Sequence, residues 1–262
     1  MKQICNDLAL EQDNLDVLVS SLNDSQWDHV TFFDNWTIKD EIYHLAYFDY
    51  TARMAVADPE AFKQHVVEDF GKTKNMDEAL QTILNRGRAM KNGDLLLWWR
   101  KERSQLMTHL EKLSPKDRVP WYGPPMSARS FATARLMETF AHGQDIYDTL
   151  KKEHQAGAGL KHIANLGVAT FGWSFSNRKM EIPKGDIYIE LTSPTGVLWT
   201  WGKKTASESI VGTATDFCLV VTQRRHVDDT RLKIIGDVSR LWMEHAQAFA
   251  GPPEHGPCAG IF

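Results

Sequence analysis

The stretch Met137–Asp148, "METFAHGQDIYD", decides how this chain is read. It lies inside a long run, "ARSFATARLMETFAHGQDIYDTLKKE", whose apolar residues recur at helical spacing. Residues three and four apart on a helix share a face. Glu138, His142 and Asp145 therefore form one stripe, while Leu136, Phe140 and Ile146 lie away from it. A helix that gives a whole face to two carboxylates and an imidazole needs a chemical reason.

Reading outward, the run starts near Ser127 or Ser130, both suitable helix caps. The proline-rich "SPKDRVPWYGPPMS" before it reads as a loop, and "NGDLLLWWRKERSQLMTHLEKL" as a helix that starts after Asn92-Gly93. "WTIKDEIYHLAYFDYTARMAVAD" reads as another, with Thr37 as N-cap and Asp40 three residues on, a variant of the capping box. It should stop near Asp58-Pro59. "ICNDLALEQDNLDVLVSSL" is the first helix, "NDSQWDHVTFFDNW" a loop, and residues 60–90 carry one or two shorter helices. Four long helices around one core predict an α-helical bundle.

At "HQAGAGLK" the composition shifts to small residues, which places a domain boundary near residue 155 and divides the chain into 1–154 and 155–262. Beyond it, "IANLGVATFGWSFSNRK" reads as helical, and "DIYIEL" and "VLWTWG" as a β-hairpin around "TSPTG". "ESIVGT" and "RLKIIG" read as strands, "TDFCLVVTQRR" and "DVSRLWMEHAQAF" as helices, and "GPPEHGPCAGIF" as an irregular tail. The second domain is expected to be small and α+β.

The 262 residues are 42% hydrophobic, enough for a sizeable core, and carry a net charge of −4. That balance recruits neither nucleic acid nor an anionic membrane. No run approaches the roughly 18 apolar residues of a membrane span, and the N-terminus lacks the pattern of a signal peptide. Cys5, Cys218 and Cys258 are odd in number and far apart, so no disulfide framework is expected and a reducing cytoplasm fits. Oligomeric state stays open.

The other half of the chemistry is expected on the helix from Thr37 onward, where His44 intrudes among Ile42, Leu45, Ala46 and Phe48. Facing helices of a bundle build metal sites from such inward polar side chains. His44, Glu138 and His142 make a three-ligand set with positions left open, the arrangement of a catalytic rather than a structural metal. Asp145, or Asp40 one turn before His44, is placed to orient a ligating histidine. Glu41-x-x-His44 also fits the i,i+3 motif of dinuclear carboxylate bundles, with Glu11 and Glu102 as further ligands. Zinc, nickel and iron all suit imidazole. Trp36, Trp121 and Tyr122 are candidate pocket walls. Of Trp98 and Trp99 only one can face inward, the other being expected at the domain interface. The remaining histidines, His154 among them, have no partner at ligand spacing and receive no role.

"WTIKDEIYHLAYFD", "VPWYGPPMSARSFATARLMETFAHGQDIYD" and "FAGPPEHGPCAG" resemble a bacterial family of metal-binding proteins related to mycothiol-dependent maleylpyruvate isomerase, within the DinB-like superfamily. The resemblance implies an up-down-down-up four-helix bundle followed by a sterol-carrier-like domain. It implies a divalent metal, usually zinc, on His44, Glu138 and His142. It also implies a low-molecular-weight thiol as nucleophile, held in part by an arginine of the second domain, with Arg224 and Arg225 as candidates. The expected function is thus a metal-dependent, thiol-using isomerase or transferase acting on a small electrophilic substrate, with Asp145 as orienter or proton shuttle. Two alternatives stand beside it: a hydrolase or hydratase using metal-activated water, and a small-molecule or lipid-binding protein whose metal is structural.

Overall fold

Helical periodicity in the first half of the chain is realised in four long helices, and the second half departs from it as its alternating segments require. The computed structural model describes residues 1–33, 35–71, 73 and 76–262; residue 34 of the expected loop and residues 72, 74 and 75 of the expected 60–90 helices lie outside the described residues. The chain divides into two compact units, Met1–His154 and Gln155–Phe262.

The first unit runs α1 (Lys2–Ser20), α2 (Asp24–Trp27), α3 (Ile38–Ala57), α4 (Pro59–Phe70), α5 (Met76–Arg88), α6 (Asn92–Leu110), β1 (Arg118–Val119), β2 (Met126–Ser127) and α7 (Ala128–Thr149). Local chemistry sets the boundaries. Thr37 caps α3 by accepting the Asp40 N–H while the Asp40 carboxylate accepts the Thr37 N–H, a reciprocal capping box. Ser127 caps α7 by accepting the Ser130 N–H at 3.1 Å. Asp58 both ends α3 and caps α4, whose first residue is Pro59. Two features depart from expectation. Asn23 and Gln26 close a capping box of their own, which folds α2 inside the expected loop. The proline-rich loop is pinned at its ends, where Arg118 pairs with Ser127 and Val119 with Met126.

Side-chain pairings fix the helix directions. Glu41 meets His142 and Asp49 meets Arg135, so α3 and α7 are antiparallel. Asp13 meets Arg103 and Asp16 meets Arg100, so α1 and α6 are antiparallel. Asp49 meets Trp99 and Arg53 meets Glu102, so α3 and α6 are parallel. The bundle is therefore up-down-down-up, and α4 and α5 occupy the long return between its two parallel helices. Leu15, Ile38, Ile42, Leu45, Leu95, Trp99 and Ile146 are buried in one cluster, and each such side chain contributes about 1.5–3 kcal/mol.

One buried carboxylate ties this core together. Asp49 accepts from Arg135 Nε at 3.0 Å, Trp99 Nε1 at 3.1 Å and Gln12 Nε2 at 3.0 Å, so each long helix supplies one member. Burial pushes the Asp49 carboxyl up despite the adjacent guanidinium. Trp99 is thus the inward tryptophan. Trp98 packs on Tyr43 and Tyr50 of α3, with ring centroids 5.5 and 6.0 Å away.

The second unit runs α8 (Leu160–Ala169), α9 (Phe171–Ser176), β3 (Ile187–Thr192), β4 (Leu198–Trp201), β5 (Glu208–Thr213), α10 (Ala214–Val221), β6 (Lys233–Ile235) and α11 (Asp237–His245). Its sheet has the order β4-β3-β5-β6. The hairpin β3–β4 forms as expected, with Gly196 in its turn at φ +81°, a conformation that favours glycine. β5 pairs parallel to β3, and β6 antiparallel to β5. Ile189, Leu191 and Ile210 are buried on one face, and α10 packs on β3 and β5. The helix expected over 163–179 is broken at Thr170 into α8 and α9. The fold is a helical bundle with a small α+β unit. Among the described residues no helix is long and apolar enough to cross a membrane.

Candidate metal centre

The stripe on α7 meets α3 one helical turn and more from the Asp49 cluster. Nε2 of His44 lies 3.2 Å from Oε2 of Glu138, and Nε2 of His142 lies 3.3 Å from the same oxygen. Two imidazoles thus converge on one carboxylate oxygen, with ring centroids 4.2 Å apart. The cluster is open on one side: the Glu138 side chain keeps 27% of its surface exposed, against 6% for His142.

Protonation states follow from this packing. Burial pushes the His44 imidazole down to about 3, and the neighbouring His142 adds to the shift against the pull of Glu138. Burial alone would push Glu138 up, but hydrogen bonds with His142 and His44 outweigh it and hold the carboxyl well below its usual range. A neutral imidazole beside an ionised carboxylate is what a divalent cation requires of its ligands. Nδ1 of His44 is buried without a hydrogen-bond partner among the described residues. His44, Glu138 and His142 each offer a ligand atom, all within 4.8 Å of one another. The donor set fits a metal ion.

The remaining candidates are distributed differently. Asp145 is buried beside the cluster, its Oδ2 3.9 Å from His142 Nδ1, beyond hydrogen-bond reach of that atom. Nδ1 instead lies 2.7 Å from Oε2 of Glu41. Asp40 is turned away, held by the Thr37 cap and by Arg88 at 2.9 Å. The carboxylates of the dinuclear alternative go elsewhere, Glu102 to Arg53 at 2.6 Å and Glu11 to His154 at 2.7 Å. His154, given no role from the sequence, is held between Glu11 and Gln144 and stacks on Tyr147 at 4.3 Å. Trp36 is a wall of the centre: its ring stacks on His142 at 5.7 Å and 10°, and lies 5.2 Å from that of His44. Phe33 adds an edge contact to His142 at 5.4 Å. Trp121 and Tyr122 pack on Phe48, whose ring lies 4.6 Å from that of His44.

Arg224 and Arg225 belong to the second unit, just past α10. Arg224 is buried and donates to the Thr222 carbonyl at 2.9 Å, while the Arg225 guanidinium lies 3.8 Å from the Phe262 ring centroid. Neither neighbourhood was legible in the sequence, because both depend on where the chain turns after Val221.

Comparison with known proteins agrees with the helical-bundle fold. The model of the mycothiol maleylpyruvate isomerase N-terminal domain matches residues 8–147, which span the four long helices almost completely. The chain belongs to the mycothiol maleylpyruvate isomerase N-terminal domain family. Two proteins of Mycobacterium tuberculosis, from strains CDC 1551 and H37Rv and both described as uncharacterized, are each 38% identical over 250 residues, covering 95% of this chain and 96% of theirs. The crystal structure of the mycothiol-dependent maleylpyruvate isomerase shares the fold with a TM-score of 0.56 at 13% identity, covering 85% of this chain and 89% of that one. A point mutant of that isomerase gives 0.57 and 14%. Residues 183–234 match a second model, described as wyosine base formation. In this mycothiol maleylpyruvate isomerase N-terminal domain, the candidate ligands sit on α3 and α7, the second and fourth of the long helices.

Proposed function

We propose that the protein is a metal-dependent enzyme that uses a low-molecular-weight thiol on a small electrophilic substrate, as an isomerase or transferase. The observation that carries this reading is the convergence of the His44 and His142 Nε2 atoms on one Glu138 oxygen, 3.2 and 3.3 Å away, in a cluster with an open side. His44, Glu138 and His142 hold the ion, with zinc as the first candidate and nickel and iron behind it. When bound, the metal supplies the positive charge that lowers the pKa of a thiol at neutral pH.

The chain's own residues supply the rest. Glu138 contributes the anionic ligand at the open edge. Trp36 and Phe33 cover the ring of His142 and keep water from its buried side. Asp145, 3.9 Å from His142 Nδ1, is the candidate to accept and return a proton. For the second unit the reading keeps Arg224 and Arg225 as the candidates to meet an anionic group of the thiol, Arg225 being the less buried of the two. Family membership supports the thiol, because the isomerase of the same fold is described as mycothiol-dependent. Maleylpyruvate with mycothiol is accordingly the first substrate pair to assay.

Elemental analysis of wild type, His44→Ala and His142→Ala, purified identically, tests the centre. One metal per chain in wild type, lost in both variants with helical circular dichroism retained, is the expected result. Full retention of metal in both variants would overturn it.

A further inference from the structure

Next to the three candidate ligands, α3 carries a carboxylate that faces the wrong side of His142 to be a fourth. Glu41 is fully buried, and its Oε2 lies 2.7 Å from Nδ1, across the ring from the Nε2 that faces Glu138. We propose that Glu41, held in turn by Thr31, is a positioning residue that fixes the tautomer and ring plane of His142, so that the Nε2 lone pair is directed at the ion; this rests on the metal reading above.

Hydrogen-bond bookkeeping around Glu41 leads there. Both ring nitrogens of His142 face a carboxylate, Nδ1 at 2.7 Å and Nε2 at 3.3 Å. A nitrogen that ligates an ion must keep its lone pair, so with Nε2 turned to the ion the proton of the loaded protein belongs on Nδ1, where Glu41 accepts it. The other oxygen, Oε1, accepts the Thr31 hydroxyl at 2.7 Å, and Thr31 Oγ1 lies 3.3 Å from the Phe33 N–H. Thr31 is itself anchored: its N–H donates to the Trp36 carbonyl at 2.7 Å, and the Trp36 N–H donates to the Phe33 carbonyl at 2.8 Å. Just outside this turn Val30 bridges Thr37, the cap of α3. The same segment places Trp36 on the face of His142 and Phe33 on its edge. One loop thus fixes the ring from its face, its edge and, through Glu41, its Nδ1 proton. Asp145, at 3.9 Å, is too far to do so. Partners of this kind behind a ligating histidine are typically worth about 10–100-fold in metal affinity.

The test measures zinc affinity of the full chain by competition with a chromophoric chelator, for wild type, Glu41→Gln and Thr31→Val. It also reads the tautomer of His142 in the zinc-loaded protein by nitrogen-15 NMR. Glu41→Gln keeps shape and removes charge, and is expected to bind zinc about 10–100-fold more weakly. Thr31→Val should weaken it less, in the same direction, and wild-type His142 should carry its proton on Nδ1. A purely structural role for Glu41 would leave the tautomer unchanged in Glu41→Gln, whereas the positioning role predicts a weakened or redistributed Nδ1 proton signal. Unchanged affinity in Glu41→Gln, or a proton on Nε2 in the wild type, overturns the inference. So does loss of zinc in Glu41→Gln with retention in His44→Ala, which would move the ion to Glu41, His142 and Asp145. Should Glu41→Gln fail to fold, unchanged affinity in Thr31→Val overturns it alone. A wild type that binds no zinc sinks the metal reading itself, and the positioning role with it.

Discussion

Two polar clusters lie in the core of the same bundle, little more than one turn of α3 apart, and they are built to opposite ends. Around Asp49, one carboxylate receives a guanidinium, an indole N–H and an amide N–H, one from each of the other three long helices. Its charge is balanced and both its oxygens are in use. Around Glu138, two imidazole nitrogens crowd a single oxygen, a neighbouring ring nitrogen has no partner among the described residues, and one side is open. A buried polar group that satisfies itself stabilises a fold, whereas one that does not is costly unless something else arrives. The contrast separates a cluster that satisfies itself from one that the proposed ion would complete, although both are rich in charge.

The contrast can be broken most directly at Asp49. Asp49→Ala leaves Arg135 buried without a counter-charge and should cost about 3–5 kcal/mol in chemical denaturation. A loss below about 1 kcal/mol would show that the Asp49 cluster is not a clasp. The next effect belongs to the other cluster. Zinc at a hundredfold excess over its dissociation constant should stabilise the wild type by about 2.7 kcal/mol, and a chelator should remove that gain. The gain should vanish in His142→Ala. If zinc stabilised that variant equally, the ion would be binding elsewhere.

The smallest effect calibrates both. Asp16, at the rim between α1 and α6, bonds to Arg100 at 2.6 and 2.8 Å and to Arg103. Burial pushes its carboxyl up, but the Arg100 hydrogen bonds prevail and hold it below its ordinary value. A depressed carboxylate contributes stability that is present above its unfolded pKa of about 3.9 and is lost as pH falls through the folded one. Asp16→Asn should therefore flatten the acid limb of the stability curve below about pH 4. It should change stability at pH 7 by no more than about 1 kcal/mol, because the Arg100 partner is 41% exposed. A loss near that of Asp49→Ala would erase the distinction between rim and core.

Much of this was legible because it is local. Thr37 with Asp40, Ser127 before α7 and the Asp58-Pro59 stop are read from neighbouring residues, and the structure closes those caps as the sequence implies. The His142 stripe was legible for the same reason, since i,i+4 spacing is a property of one helix. What escaped depends on how helices cross. Asp40 and Glu41 are adjacent on α3, and nothing local says which of them meets His142. The crossing turns Glu41 inward and leaves Asp40 to the cap and Arg88. His154 escaped likewise, because its partner Glu11 lies at the other end of the first unit's sequence. The short α2 differs in kind: its Asn23–Gln26 capping box is local, but four residues are too few to show a helical period.

The Asp49 cluster also bears on how the bundle assembles. Its members stand at positions 12, 49, 99 and 135, so none of its bonds is local. Closing such separations is entropically costly before any contact is gained. The guanidinium arrives with α7, the last helix of the unit to be synthesised. Until then the Asp49 carboxylate lacks its counter-ion and cannot be buried cheaply. The first unit is in this sense latched by its final helix, and the Trp99 indole, bonded to the same carboxylate, is a natural fluorophore at the point where the latch shuts.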